Sequence, residues 1–249
     1  MTASPIRAVC FDFDQTLAYM QPSHWALYAE AARAAGIEVS EATIAAGGVD
    51  NAWAPWMTPL GPVHREASAS QEAFRALRAA LAADRIRAAC PASDAALAEA
   101  GRVAALLEEE AARYVLYDDT LPALRRLRDA GVSAYIVSNH IWALPEIAGA
   151  LLGDLVAGVV TSARVGVRKP HPAIFEAALA LSGTAPAETL MVGDSLSADV
   201  RGGERAGMRA VLLDRDGTAT PPEGVRVVRS LLDVPMEWEA TAPVEGATA

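Results

Sequence analysis

The chain has 249 residues, of which 52% are hydrophobic and 21% are charged, and its formal net charge is −10 with a pI of about 4.9. This composition is typical of a soluble globular protein with a full core, and the length is compatible with one large domain or two smaller ones. The acidic balance argues against binding to nucleic acid or to an anionic membrane surface, because no basic run is segregated from the acidic residues.

The sequence also argues against a membrane or secreted location. No apolar run approaches the roughly 18 residues that cross a bilayer. The first residues, MTASPIRAV, lack the apolar region of a secretory signal, so we expect a cytoplasmic protein. Cys10 and Cys90 are too few for a disulfide framework or a thiolate metal cage.

The first predicted element is a short buried strand over residues 6–12, which ends at a polar cluster that begins with Asp12 and Asp14. From about residue 22 to 115, apolar residues recur at helical spacing. The predicted helices of this block are 23–35, 40–46, 66–83 and 94–114. A loop rich in Gly and Pro, GGVDNAWAPWMTPLGP, interrupts them.

After residue 118 the pattern alternates between helices and short strands. The predicted helices are 119–130, 143–152, 172–182 and 197–206, and the predicted strands are 132–137, 157–160, 189–193 and 209–213. Such alternation predicts an α/β fold, with a parallel sheet that carries helices on its faces. The all-helical block after the first strand then predicts a second, covering domain.

Polar side chains follow the predicted strands where their carboxyl ends should meet, which is where ligands bind in doubly wound sheets. They are Asp12, Asp14, Ser138, Asn139 and Asp194. Lys169, the only lysine beside twenty arginines, precedes Pro170 near the same edge. A divalent cation between Asp12 and Asp194, with Lys169 alongside, would offset the repulsion of the carboxylates. An all-oxygen ligand set favours Mg²⁺.

Four segments in order, FDFDQTL, IVSN, GVRKP and MVGDSLSAD, resemble the four motifs of the haloacid dehalogenase-like hydrolase superfamily. The resemblance covers about residues 5–20 and 115–215. It implies a Rossmann-like doubly wound core with an inserted α-helical cap. The implied domains are a core of residues 1–18 and 116–238, a cap of residues 19–115 and a flexible tail of residues 239–249.

The resemblance also implies roles for single residues in a phosphatase with a small phosphate monoester as substrate. Asp12 would be the nucleophile that forms an aspartyl-phosphate, and Asp14 would be the general acid and base. Ser138, Asn139 and Lys169 would bind the phosphate group of the substrate. Mg²⁺ would be coordinated by Asp12, Asp194 and the main-chain carbonyl of Asp14. Thr16 would fix the turn that leads into the cap, and Asp199 would lie next to the metal ligands without coordinating the ion itself.

Several alternatives remain at this stage. A phosphomutase, a haloacid dehalogenase and a catalytically idle scaffold share the fold, although dehalogenases lack an aspartate at the position of Asp14. Asp199 could instead interact with a helix dipole, and Asp194 could cap a helix. Gln15 replaces the family's usual glycine, while His140 and His171 occupy positions that we interpret as variable.

The substrate itself is not apparent from the motifs, which leave open a sugar phosphate, a nucleotide or a phosphorylated biosynthetic intermediate. A cap that closes over the leaving group would set selectivity. The candidate residues within it are Trp53, Trp56, Met57, His24, His64 and Arg65. The oligomeric state is equally open.

Overall fold

The computed structural model of the chain describes residues 4–47 and 61–238. The strands are β1 (Ser4–Pro5), β2 (Ala8–Phe11), β3 (Ala18–Met20), β4 (Tyr114–Leu116), β5 (Ser133–Ser138), β6 (Gly158–Thr161), β7 (Thr189–Gly193), β8 (Arg209–Leu213), β9 (Val227–Val228) and β10 (Glu237–Trp238). Six of them form a parallel sheet in the order β6-β5-β2-β7-β8-β9. The predicted α/β class is confirmed.

Helices cover both faces of this sheet. Alternate residues of β2 enter two different cores, because successive side chains of a strand point to opposite faces. Val9 and Phe11 join one apolar cluster, whereas Ala8 and Cys10 join the other. The sheet is therefore doubly wound, and β2 lies at its centre between β5 and β7.

The helices within the described residues are α1 (His24–Ala34), α2 (Glu41–Ala46), α3 (Pro62–Ala67), α4 (Gln71–Ala89), α5 (Asp94–Leu107), α6 (Thr120–Asp129), α7 (Leu144–Leu152), α8 (Ser162–Val165), α9 (Pro172–Ser182) and α10 (Arg201–Arg205). A π-helix, Leu196–Val200, leads directly into α10. The first five helices form the inserted α-helical cap. At Gly101 of α5, an added Cβ would overlap the Ala79 carbonyl oxygen of α4, so these two helices pack backbone against backbone.

An antiparallel ribbon of β3 and β4 connects the sheet to the helical insertion. It was not predicted, because strands of three residues carry too little alternation to be recognised. The helix predicted over 94–114 begins at Asp94 as expected, but its predicted end is wrong, since α5 ends at Leu107 and the chain then continues to β4. The bounds of the helix predicted over 66–83 are also wrong, because α3 ends at Ala67 and Ser70 caps a separate helix that continues to Ala89.

Three sequence predictions concern the Gly- and Pro-rich loop, the C-terminal tail and the border between core and cap. The Gly- and Pro-rich loop falls largely on residues 48–60, and the predicted tail falls on 239–249; both lie outside the described residues. The ribbon spans the expected border between core and cap, whose residue limits remain a prediction. Within the described ranges, no helix combines the length and apolar character that crossing a membrane requires.

Candidate active site

The central strands of the sheet bring the acidic residues to one edge. Asp12 directly follows β2, and its backbone N–H donates to the Val192 carbonyl of neighbouring β7 over 2.9 Å. Asp194 directly follows β7, and Ser138 is the last residue of β5. Since these three strands are adjacent and parallel, their carboxyl ends form a single crevice.

Lys169 is the centre of charge in this crevice. Its Nζ donates to Asp12 Oδ1 over 2.7 Å, to Asp199 Oδ1 over 2.5 Å and to the Val137 carbonyl over 2.7 Å. Its side chain is only 2% exposed. Burial by itself would lower the pKa of Lys169, but the carboxylates of Asp12 and Asp199 raise it above its ordinary value. The lysine is therefore charged and binds the acidic cluster.

Two of three neighbouring carboxylates, those of Asp12 and Asp199, contact this ammonium, and the more exposed Asp194 lies beside them. One oxygen each from Asp12, Asp194 and Asp199 lies within 4.8 Å of the others. Burial, followed by the charge of Asp12, raises the pKa of Asp194 to about 6. Burial likewise raises the pKa of Asp199 to about 7, although Lys169 opposes the shift. An added cation would relieve this concentration of negative charge, and the oxygen-only donor set fits Mg²⁺.

Asp199 is held by the start of the π-helix. Its Oδ2 accepts the Ser195 backbone N–H over 3.0 Å while its Oδ1 faces Lys169. The carboxylate also lies directly against Gly193, where an added Cβ would overlap it. The residue is only 1% exposed, so it is part of the buried cluster rather than a surface charge at a helix start.

Asp14 lies apart from the three clustered carboxylates. Its side chain is 38% exposed, and Asp14 Oδ2 lies 3.5 Å from His140 Nε2. Burial raises the pKa of Asp14 to about 6; the charge of His24 opposes this shift and that of Asp12 adds to it. Burial lowers the pKa of His140 to about 4, so the imidazole is neutral at pH 7. The sequence interpretation of His140 as a variable position missed this contact.

A buried polar cluster extends from this point into the cap. The Glu108 carboxylate accepts from Arg78 Nε over 2.8 Å, from Arg78 Nη2 over 2.6 Å and from the Tyr28 hydroxyl over 3.0 Å. The Tyr114 hydroxyl donates to the Glu108 carbonyl over 2.9 Å, and its ring packs 5.6 Å from that of His140. Sequence reasoning missed this cluster, because its members belong to three separate segments.

The other predicted site residues differ in what they contact. The Asn139 side chain accepts the Lys169 backbone N–H over 2.6 Å and donates to the Lys169 carbonyl over 3.1 Å, so it fixes the lysine segment. Its predicted phosphate contact remains a prediction. Ser138 is buried at the sheet edge. Thr16 is fully buried in the turn after Asp14, and its carbonyl accepts Arg215 Nη2 over 2.7 Å.

The backbone conformation at Gln15 explains why glycine is common at this position. Its φ is +60°, in the left-handed region that L side chains rarely adopt. The Gln15 Oε1 accepts the Tyr117 hydroxyl over 2.9 Å and so connects the turn after Asp14 to the chain that leaves the ribbon.

The histidines of the sequence analysis lie in separate places. His64 Nε2 lies 2.8 Å from the Ser162 carbonyl and joins α3 to the core. His171 Nδ1 accepts the Ala173 N–H over 3.2 Å and caps α9. Burial lowers the pKa of His24, whose neighbours include the charges of Glu108 and Asp14. The candidates Trp53, Trp56 and Met57 lie outside the described residues.

A family model described as haloacid dehalogenase-like hydrolase matches residues 6–207. The chain belongs to this family. The predicted superfamily and its hydrolase class are thereby confirmed, and the matched range spans both the sheet and the helical insertion.

Two curated proteins resemble this chain in sequence, and one solved structure resembles it in fold. The chain is 30% identical over 230 residues to a phosphoserine phosphatase of Thermus thermophilus, covering 88% of this chain and 92% of that protein. It is 41% identical over 122 residues to a glyceraldehyde 3-phosphate phosphatase of Methanothermobacter thermautotrophicus, about half of each chain (47% and 52%). A 2-haloacid dehalogenase of Pseudomonas syringae has the same fold, with a TM-score of 0.64, 23% identity and coverage of 91% and 95%.

Proposed function

We propose that this protein is a Mg²⁺-dependent phosphomonoester hydrolase that acts on small phosphorylated metabolites through an aspartyl-phosphate at Asp12. The observation that carries the proposal is the position of Lys169 Nζ, 2.7 Å from Asp12 Oδ1, beside carboxylate oxygens that lie within 4.8 Å of one another. A charged, fixed nucleophile beside an oxygen-rich cation site is what phosphoryl transfer to a carboxylate requires.

The sheet residues supply the nucleophile and its charge balance. Asp12 attacks phosphorus with one carboxylate oxygen, while Lys169 offsets the negative charge shared by the carboxylate and the phosphoryl oxygens. Asp12, Asp194 and the Asp14 carbonyl would hold Mg²⁺, which supplies Lewis-acid neutralisation of phosphoryl charge when bound. Asp199 keeps Lys169 in place through the contact described above.

Asp14 supplies the proton. Its pKa of about 6 lies above that of an ordinary aspartate, so the carboxyl can both give up and take up a proton within about one pH unit of neutrality. The protonated carboxyl donates to the departing alkoxide, and the resulting carboxylate then removes a proton from the water that hydrolyses the aspartyl-phosphate. Halide leaves without a proton, so Asp14 favours a phosphatase over the dehalogenase activity named for a structural neighbour.

Small alkyl phosphates are the proposed substrate class. The support is that two relatives, one of them matching 88% of this chain, are named as phosphatases of such compounds. O-Phosphoserine and glyceraldehyde 3-phosphate are therefore the first members of a substrate panel.

The test is phosphate release from this panel and from p-nitrophenyl phosphate, with Mg²⁺ or with EDTA. Wild type should release phosphate only with Mg²⁺, and Asp12→Asn should release none. Asp129→Asn is the matched control, because Asp129 is 76% exposed on α6. Release that survives in Asp12→Asn would refute the aspartyl-phosphate. Transfer of the phosphate to a sugar phosphate, without release, would show a mutase.

A further inference from the structure

His140 lies beside the proposed general acid. It follows the Ser138 and Asn139 pair at the end of β5, and its side chain is 5% exposed. The 3.5 Å between His140 Nε2 and Asp14 Oδ2 is longer than a formed hydrogen bond. Catalytic hydrogen bonds are often long before the substrate binds and shorten in the reactive complex, so this approach is a candidate for one.

The packing around His140 fixes the direction of its ring. The Phe13 ring meets it edge to face, with centroids 5.4 Å apart and an interplanar angle of 88°. Tyr114 packs on it with centroids 5.6 Å apart. The His140 carbonyl accepts the Thr161 hydroxyl over 2.8 Å. Because Phe13 stands between Asp12 and Asp14 in sequence, the same turn positions both carboxylates and this imidazole.

The hydrogen-bond partners indicate which ring nitrogen carries the hydrogen. A neutral imidazole has one N–H donor and one acceptor nitrogen. Among the described residues, the buried Nδ1 of His140 has no hydrogen-bond partner. Burying an unpaired acceptor is better tolerated than burying an unpaired N–H, which favours Nδ1 as the bare nitrogen. The hydrogen then belongs on Nε2, which faces Asp14.

We propose that His140 is a positioning residue for Asp14: its Nε2–H donates to Asp14 Oδ2 and thereby leaves Oδ1 to carry the catalytic proton. The inference rests on the proposed role of Asp14 as general acid. In the step it governs, an oxygen of Asp12 forms a bond to phosphorus and the bond from phosphorus to the ester oxygen breaks. The ester oxygen keeps that electron pair and takes the proton from Oδ1, which leaves Asp14 as a carboxylate.

The reverse hydrogen bond would not support this chemistry. If Asp14 donated its proton to a bare Nε2, the proton would point toward the imidazole rather than the leaving group. The proposal therefore predicts that losing the His140 donor impairs leaving groups that need protonation and spares those that do not.

Leaving-group dependence provides the test. The ratio kcat/KM reports the steps up to phosphoryl transfer to Asp12, whatever the later rate of hydrolysis. We compare kcat/KM for p-nitrophenyl phosphate, whose nitrophenolate departs without a proton, with that for O-phosphoserine or the best alkyl phosphate of the panel. His140→Ala should lower the alkyl value by about 10- to 100-fold, less than the roughly 100- to 10,000-fold that a complete general acid contributes because Asp14 itself remains, and the aryl value by less than about threefold.

Three variants make the outcome specific. His140→Gln, which offers an N–H in place of Nε2–H, should recover much of the alkyl activity. His140→Met, which fills the space without a donor, carries the same test should the alanine variant not fold. Tyr114→Phe removes the hydrogen bond from the Tyr114 hydroxyl to the Glu108 carbonyl and keeps both the ring against His140 and the His140 donor, so it should leave the ratio of alkyl to aryl values unchanged.

Equal losses for the two substrates in His140→Ala or His140→Met would overturn the inference, as would a glutamine variant no better than alanine. Asp14→Asn separates this failure from that of the proposed function. Should Asp14→Asn lose alkyl activity selectively while the His140 variants do not, only the role of His140 is wrong. Should Asp14→Asn show no selective loss, the general acid itself is misassigned.

Discussion

The ion pair between Arg78 and Glu108 should contribute strongly to the stability of the cap. Their side chains are 7% and 2% exposed, and two short hydrogen bonds join them. Arg78→Met keeps much of the aliphatic volume but leaves the Glu108 carboxylate with the Tyr28 hydroxyl as its neutral partner. Removing one partner of a buried ion pair typically costs about 3–5 kcal/mol.

The free energy of protonating Glu108 gives a second estimate of the stability that Arg78→Met loses. Burial alone would raise the pKa of Glu108, but Arg78 holds it below its ordinary value of 4.5. Without Arg78, the carboxyl can take up a proton, which at pH 7 costs about 3.4 kcal/mol at about 1.36 kcal/mol per pH unit above 4.5. At pH 5 the same protonation costs only about 0.7 kcal/mol.

The stability that the Arg78–Glu108 pair contributes depends on pH. The depressed pKa of Glu108 makes the wild-type pair stabilising above pH 4.5, and this stability is lost as the pH falls through the folded-state pKa. The deficit of Arg78→Met relative to wild type should therefore be about 3 kcal/mol at pH 7 and about 1 kcal/mol at pH 5.

Urea unfolding followed by circular dichroism, at both pH values, measures this deficit. Arg102→Met is the matched control, because Arg102 makes the same two-bond contact with Glu99 at 2.8 and 2.6 Å but is 58% exposed. We expect no measurable change in the control. A deficit below about 1 kcal/mol at pH 7, or one that does not shrink at pH 5, would refute the reasoning.

Three further predictions concern the crevice. Lys169→Arg keeps the charge, but a guanidinium cannot replace an Nζ that touches three oxygens within 2.7 Å, so phosphate release should fall at least ~100-fold. Gly193→Ala should displace the Asp199 carboxylate and lower the melting temperature, whereas Gly149→Ala, where nothing lies within 4 Å of the added Cβ, should raise it. Because Asp194 must be ionised to bind metal and its pKa is about 6, Mg²⁺ affinity measured by calorimetry should be near its maximum at pH 7.5 and fall up to about tenfold per pH unit below 6.

The sheet could be predicted well because its signals are local. The strands Thr189–Gly193 and Arg209–Leu213 and the helix Pro172–Ser182 have the predicted bounds. Each combines a short apolar run or helical spacing with a clear terminal signal, such as Pro172 at the helix start. Parallel pairing then brings the ends of adjacent strands together without further information.

The cap and its ribbon were harder to predict for the opposite reason. The partner of Tyr19 is Val115, and the pairing of these short strands leaves no periodic signal in either segment. The long cap helix was misplaced because alanine-rich sequence continues the helical pattern across Ser70, where the chain actually starts a new helix. The position of the His140 ring could not be predicted either, because it depends on contacts with Phe13 and Tyr114, which are distant in sequence.

The two halves of the chemistry therefore depend on different parts of the chain. The Lys169 ammonium joins Asp12 at the end of the central strand to Asp199 in the π-helix and to the Val137 carbonyl of β5, so the sheet and the loops at its edge hold this group together. Asp14 lies where the chain leaves the sheet for the ribbon, and its neighbour His140 packs against Tyr114 of that ribbon. In the proposed mechanism, phosphoryl transfer to Asp12 would depend on the core, whereas protonation of the leaving group would depend on how the cap is joined to the core. In this mechanism the core would supply the carboxylate nucleophile, and Asp14 with its surroundings would decide whether a leaving group that needs a proton can depart.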